Sequence, residues 1–299
     1  MHRLTREQRA QILNMQIEGV SIRATCRLTG RSKGAVTRLI VEAGQACAEA
    51  HGALVRDLRC EQVQVDELWA YVGMKQKRVP AERKGEFGIG DVWTFTSIDP
   101  KTKLVPTWLI GRRDATTARQ FLVDLGRRIQ GRFQLTSDGA SFYREAAAEA
   151  FGAAIDYAQL VKLYSAASDG ERQYSPPVCV AARPEPVTGN PDPEHISTSH
   201  VERQNLNIRM GLRRFTRLTN AFSKKVYNLS CATALYFFHH NYVRPHGTLT
   251  KQANGRPTTP AMAAGLASKP WTMADIVELI EEREESAKDV GARRKDRRS

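Results

Sequence analysis

Gln62-Val63-Gln64-Val65-Asp66-Glu67-Leu68-Trp69-Ala70-Tyr71-Val72 is a run of β-branched and aromatic residues broken by one acidic pair. Such residues suit a pleated, half-buried surface, so the stretch is expected to be a strand that carries Asp66. A Lys/Gly loop from Lys75 to Gly90 follows, then two more strand-like runs, Val92–Ile98 and Leu104–Ile110. Between these two lies Asp99-Pro100-Lys101-Thr102-Lys103, a hairpin-type turn that makes them antiparallel. Gly85-Glu86-Phe87-Gly88-Ile89-Gly90 has the glycine spacing of a phosphate loop but leads into a strand rather than a helix, and reads as a β-β connection.

Downstream, Thr116–Ile129 carries Ala118, Phe121, Leu122, Leu125 and Ile129 at helical spacing. Phe133–Ser137 is a fourth strand ending in Asp138-Gly139; a helix over Ser141–Phe151 and a fifth strand around Ile155–Leu160 complete the pattern. The order β-β-β-α-β-α-β predicts an α/β fold, a mixed five-stranded sheet flanked by helices. In a sheet ordered 3-2-1-4-5 the first and fourth strands are neighbours, which sets Asp66 beside Asp138. Two buried carboxylates that close repel unless a divalent cation neutralises them, and oxygen-only ligands favour Mg²⁺ or Mn²⁺. Asp99 reads as turn chemistry, and Glu67, one residue past Asp66, points to the opposite face.

Upstream of the sheet the chain is helical. Thr5 and Gln8 have capping-box spacing, a second helix starts near Ser21 and ends at Thr29-Gly30, and a third opens at Ser32. These proportions are those of an all-α helix-turn-helix domain, whose third helix bears Arg31, Lys33, Thr37 and Arg38 on its polar side, side chains suited to phosphates and base edges in a major groove.

After the sheet, six of the thirteen prolines fall between Pro176 and Pro193, so residues 165–197 read as a loop or insert without long helices. Helix resumes near Ser199 and runs to Phe215, with Val201, Ile208, Leu212 and Phe215 on one stripe and Glu202, Arg209 and Arg213 on another. From Arg203 to Lys225 there are seven basic residues and no acidic one, a field suited to phosphate contact. Helical pattern continues from Lys224 to about Tyr242, where His239, His240 and, beyond it, His246 read as packing or capping residues. The last helix spans Thr272–Glu285, ahead of a basic tail at Arg293–Arg298.

Composition narrows the function classes. The 299 residues carry 45 Lys+Arg against 32 Asp+Glu, a formal charge of +13, which points to a polyanionic partner, most often nucleic acid. Hydrophobic residues at 41% supply a core and exclude wholesale disorder; no apolar run is long enough to span a membrane. The five cysteines never fall as C-x-x-C, so they are expected to be reduced thiols with no zinc site among them.

Val65-Asp66-Glu67-Leu68-Trp69-Ala70-Tyr71-Val72-Gly73, Thr136-Ser137-Asp138-Gly139 and His200-Val201-Glu202-Arg203-Gln204-Asn205-Leu206-Asn207-Ile208-Arg209 together resemble the motifs of the DDE transposases of bacterial insertion sequences, and within them the insertion-sequence-one family. Asn241-Tyr242-Val243-Arg244-Pro245-His246 and Thr259-Pro260-Ala261-Met262 resemble the ending of many such proteins, so the likeness covers about residues 60–280. It implies a ribonuclease H-like core in which Asp66, Asp138 and Glu202 are the catalytic residues and the metal ligands for Mg²⁺ or Mn²⁺. It further implies cleavage and strand transfer of double-stranded DNA at element ends; the polar side of the third helix and the basic stripe make Arg31, Lys33, Thr37, Arg38, Arg203, Arg209 and Arg213 the expected DNA-binding residues. A homo-oligomer in the bacterial cytoplasm, associated with the nucleoid and not with a membrane, is expected. The chain then divides into a helix-turn-helix domain at 1–55, a catalytic domain at 60–265 that includes the insert, and a C-terminal helix and tail at 266–299. A domesticated relative acting as a DNA-binding regulator, and a ribonuclease H-like nuclease, are the alternatives. No C-x-x-C zinc ribbon precedes the helices, and 63 residues separate Asp138 from Glu202.

Overall fold

A computed structural model describes residues 4–164, 179–216 and 219–296. Residues 165–178 of the proline-rich stretch, Arg217 of the basic run and the end of the basic tail lie outside the described residues.

The N-terminal helices form where their local signals set them. Helix α1 (Arg6–Ile17) begins at Thr5, whose hydroxyl accepts from the Gln8 amide while the Gln8 side chain accepts from the Thr5 amide, a complete capping box. Helix α2 (Ile22–Thr29) is capped by Ser21 and stops at Gly30, whose φ of +66° a residue with a β-carbon adopts only at a cost. Ser32 caps α3 (Lys33–Leu54), which runs far beyond a short recognition helix.

The sheet has six strands in the order β3-β2-β1-β4-β5-β6, one more than expected. These are β1 (Gln62–Val72), β2 (Gly90–Ile98), β3 (Trp108–Gly111), β4 (Gln134–Asp138), β5 (Asp156–Tyr164) and β6 (Cys179–Thr188). β1 pairs parallel with β4, and β4 with β5; β2 and β3 are antiparallel. The order 3-2-1-4-5 is that of a ribonuclease H-like sheet. β6 is the correction: this part of the proline-rich stretch is a strand, antiparallel to β5, with Pro184 opposite Leu160 and Pro186 opposite Ala158. An outermost strand has one unpaired edge and so tolerates residues without an amide hydrogen.

Helices α4 (Ala115–Gly126) and α5 (Phe142–Phe151) connect the parallel strands. Phe95 of β2 meets Phe121 of α4 and both Phe142 and Tyr143 of α5, which fixes both helices against the same side of the strand. Asp114 caps α4 by accepting from the Thr117 amide. The remaining helices are α6 (Ser199–Gly211), α7 (Val226–Phe238), α8 (Gly247–Gln252), α9 (Pro260–Ala263) and α10 (Met273–Asp296). α6 ends earlier than predicted and gives way to a 3-10 turn at Arg213–Phe215. Val201, Ile208, Leu212 and Phe215 are all buried, as their stripe predicted.

The chain condenses into two units. One comprises Asp57–Leu68 and Trp93–Asn205, which includes most of the sheet with α4 and α5. The other comprises Met1–Arg56, Trp69–Val92 and Leu206–Ser299. In this second unit α3 packs against α7 and α10, and α10 also packs against α1. α7 is apolar all round and buried from Cys231 to Phe238, the pattern of a helix enclosed by others. Arg6 pairs with Glu281, Arg9 with Glu284 and Glu49 with Arg283, tying α10 to α1 and α3. His239 and His240 are buried in a π-helical turn after α7, and burial holds His239 down at about 4, the neutral packing role expected of it. No helix among the described residues is long and apolar enough to cross a membrane, and none of the five cysteines is in a disulfide.

Candidate active site

The parallel ladder of β1 and β4 runs in the register Gln62↔Gln134, Val63↔Leu135 and Gln64↔Thr136. Continued along both strands, that register sets Asp66 opposite Asp138. The paired stretch has ended by then, so the two carboxylates stand where the strands part. Asp138 caps the turn after β4 by accepting from the Ala140 amide at 3.0 Å, and Gln159 of β5 donates to the carbonyls of Asp138 and Ala140 at 2.9 and 3.0 Å. The end of β4 is thereby fixed by its neighbour.

Among the described residues, Asp66, Glu67 and Asp138 form a cluster in which one carboxylate oxygen from each lies within 4.8 Å of the others. Glu67 is a correction. Strict alternation assigned it to the opposite face, yet its oxygens reach the same pocket. Its side chain is 2% exposed and is held by Arg113 Nε at 2.6 Å and the Tyr143 hydroxyl at 3.1 Å. Arg113 in turn lies over Trp93 and Phe142, with its guanidinium carbon 4.9 and 5.4 Å from the ring centres. Burial, reinforced by Asp138, raises the Glu67 carboxyl above its ordinary range.

Asp66 feels the cluster most. Burial first, then the neighbouring Glu67, Asp138 and Glu202 carboxylates, push it up to about 7. Among the described residues neither Asp66 nor Asp138 pairs with a cationic side chain.

Helix α6 is docked beside β1 by Gln64. This buried side chain accepts from the His200 and Val201 amides at 2.9 and 3.2 Å, occupying two donors of the first turn of α6. Asn205 then faces Asp66, donating from Nδ2 to Oδ2 at 2.8 Å. The other end of the Asn205 amide, Oδ1, is buried without a partner, and the residue is only 7% exposed. A buried carbonyl oxygen left unmatched on the side chain that meets Asp66 is costly as it stands, and a hard cation or a water held on one would satisfy it. The donor set is all oxygen, and it fits a divalent ion of the Mg²⁺ or Mn²⁺ type.

Glu202 lies near Asp66 but outside the cluster. It is exposed, and its Oε1 accepts from Lys162 Nζ of β5 and from Thr198 Oγ1. The geometry therefore brings Asp66 and Asp138 together with Glu67 and leaves Glu202 on a lysine at the rim. His200, also at this rim, faces Lys103, and burial next to that ammonium lowers its pKa. Asp99 accepts from the Lys101 amide and the Thr102 hydroxyl, the turn role expected.

The basic residues sort by exposure. Arg203 and Arg213 are exposed, Arg209 is half-buried, and Arg214 is turned inward and donates to Ser223 Oγ at 2.7 Å. Lys33 and Arg38 are exposed on α3 and Thr37 is half-buried there, whereas Arg31, also half-buried, precedes the Ser32 cap instead of lying on the helix as expected. Sequence reasoning missed Glu67, Arg113, Gln64 and the contact of Asn205. Of these, only Asn205 had a local signal, three residues after Glu202 and so on the same side of the helix.

No family model matches the chain, and no curated protein matches it. Among solved structures it is similar to a pre-cleavage Mos1 transpososome at 11% identity, covering 80% of this chain and 79% of that one with a TM-score of 0.24. It is also similar to the Mos1 transposase paired-end complex with left transposon end at 13% identity, covering 50% of this chain and 58% of that one with a TM-score of 0.20. A Mos1 mariner paired end complex with Mn gives 12% identity, 50% and 57% coverage and a TM-score of 0.19. The chain thus spans little more than half the length of two of these structures. Superposition at this level leaves the fold to be argued from the strand order of the chain itself.

Proposed function

We propose that this chain is a DDE-type transposase that cuts and rejoins DNA at the ends of an insertion sequence, with Asp66, Asp138 and Glu202 as its catalytic residues. The observation that carries the reading is the pair Asp66 and Asp138 on adjacent parallel strands, neither in an ion pair among the described residues, with Asn205 held on Asp66 and its own carbonyl oxygen orphaned. A divalent ion held by Asp66 and Asp138, Mg²⁺ or Mn²⁺, supplies charge neutralisation and activation of an attacking oxygen in phosphodiester chemistry.

The protein side chains have separate tasks in this reading. Asp66 must be ionised to ligate, so its high proton affinity makes proton release part of loading the site. Asn205 holds the Asp66 carboxylate in one orientation through Nδ2. Arg113 and Tyr143 keep Glu67 fixed and partly neutralised, so that Glu67 supports the field of the cluster without turning in. Glu202 completes the set by leaving Lys162, which frees an ammonium at the rim for a DNA phosphate. Arg203, Arg209 and Arg213 contribute positive charge along and after α6, and Arg31, Lys33, Thr37 and Arg38 serve the helix-turn-helix. Pairing two element ends asks for a homo-oligomer. The insertion-sequence-one family and a place at the bacterial nucleoid belong to the same reading.

A second reading, a DNA-binding regulator that keeps the fold, is favoured by one observation: Glu202 is engaged by Lys162 and Thr198 rather than by the cluster. A strand-cleavage and joining assay on labelled DNA bearing the element's flanking ends separates the two. Wild type cutting and joining only with Mg²⁺ or Mn²⁺, with Glu202→Gln inert but still binding DNA, supports the transposase. Cutting without joining points to a ribonuclease H-like nuclease. Binding without cutting under any divalent metal gives the regulator.

A further inference from the structure

The transposase reading assigns DNA binding to the helix-turn-helix, yet α3 does not present its outer face alone. Its buried side carries Val36, Leu39, Ile40, Ala43 and Cys47, and Lys33, Thr37, Val41 and Arg38 run from its flank round to the outer side. At Gly44 the helix meets α7 backbone to backbone: a β-carbon there would stand 2.2 Å from the Cys231 carbonyl oxygen. So close an approach sets the first turns of α7 against the flank of α3, and Gln45 donates to the Tyr227 hydroxyl across the gap. Between the helices runs a cleft of about 440 Å³ lined by Lys33, Gly34, Thr37, Arg38, Val41 and Asn228.

The charged side chains that line this cleft, Lys33 and Arg38, have one sign. Lys33, Arg38, Lys224 and Lys225 are all exposed, and among the described residues none pairs with a carboxylate. No acidic residue lines the cleft. The Asn228 amide is half-exposed and makes no side-chain hydrogen bond among the described residues, so it is a donor and acceptor left for an outside group. A duplex meets these terms. Its major groove, about 12 Å wide, admits one helix, and a second helix packed on the flank of the first faces the sugar-phosphate edge.

We propose that Lys225 and Asn228 of α7 and Lys33, Thr37 and Arg38 of α3 form one duplex-DNA surface, in which α3 takes the major groove and α7 holds the phosphates along its rim. The surface joins residues almost two hundred positions apart, so the DNA-binding element is larger than the helix-turn-helix. This rests on the DNA-binding part of the function proposed above.

The test uses the full chain and two duplexes of about three helical turns, one selected by wild type from a randomised pool and one scrambled. Lys225→Ala is expected to lower the slope of log K against log salt by about 1 on both duplexes. Asn228→Asp, which turns a carboxylate toward phosphate, is expected to weaken both about tenfold or more, consistent with loss of a positioning contact rather than of base readout. Lys225 has no partner among the described residues, so its removal tests the surface even where Asn228→Asp lowers the melting temperature. An unchanged salt slope in Lys225→Ala, with affinity still lost in Lys33→Ala and Arg38→Ala, overturns the inference and leaves the helix-turn-helix reading standing. Wild type that binds neither duplex at low salt overturns both.

Discussion

Replacing Asp66 by asparagine should make the metal-free protein more stable at neutral pH while removing its ability to bind a divalent ion. The wild-type carboxyl titrates near 7 in the folded chain, raised from 3.8 chiefly by burial and then by Glu67, Asp138 and Glu202. Between those values the folded state holds a proton that the unfolded state has released, so stability falls as pH rises through the interval and is level above it. At 1.36 kcal/mol per pH unit the full interval amounts to about 4 kcal/mol, an upper bound because the side chain keeps some contact with water. Asparagine matches the protonated acid in shape and still offers an oxygen to Asn205 Nδ2, so that hydrogen bond survives. Urea unfolding in EDTA across about pH 4 to 8 is the assay. The two proteins should coincide at the acid end and separate by a few kcal/mol at the alkaline end, with the variant ahead. Saturating Mn²⁺ should then raise wild type by about 3 kcal/mol at a hundredfold excess over its dissociation constant and leave the variant unmoved. A gap that does not change with pH, or a wild type more stable than the variant at pH 8 in EDTA, would refute the electrostatic account of the cluster.

Two further outcomes follow from packing and from the buried ion pair. Gly44→Ala should destabilise by about 2 kcal/mol, because its β-carbon enters the Cys231 carbonyl, whereas Gly52→Ala in the same helix meets nothing within 4 Å and should stabilise by about 0.5–1 kcal/mol; thermal melting of the pair gives opposite signs if the α3–α7 approach is right. Arg113→Met keeps the stacking on Trp93 and Phe142 but strips the cation from Glu67, so it should cost about 2 kcal/mol near pH 8 and much less near pH 4, where Glu67 is protonated; equal costs at both pH values would contradict the pairing.

What could be read from the sequence was local. Thr5, Ser21 and Ser32 cap the helices they were expected to cap, because a cap is a hydrogen bond between residues three apart. The strand order followed from alternation of element types, and the adjacency of Asp66 and Asp138 followed from that order. β6 was hidden because its prolines disqualify a central strand and say nothing against an edge. Glu67 was hidden for a different reason. Period-two alternation fixes where a β-carbon points but not how far a glutamate reaches once its strand has left the ladder, and Arg113 and Tyr143, which decide its orientation, are distant in sequence. The pairing of Glu202 with Lys162 was equally out of reach, since β5 and α6 are brought together only by the fold.

The weave of the second unit bears on how the chain can fold during synthesis. Its helices α1 and α3 find their partners in α7 and α10, so they leave the ribosome before the helices that cover their apolar face. Local hydrogen bonds let those helices form early, but the surface that seats them is made more than 150 residues later. A chain halted before α10 lacks the carboxylates that meet Arg6 and Arg9 and the arginine that meets Glu49. The helical unit is therefore completed only once α10 has been made, and a copy ended before it should be a target for chaperones and proteases.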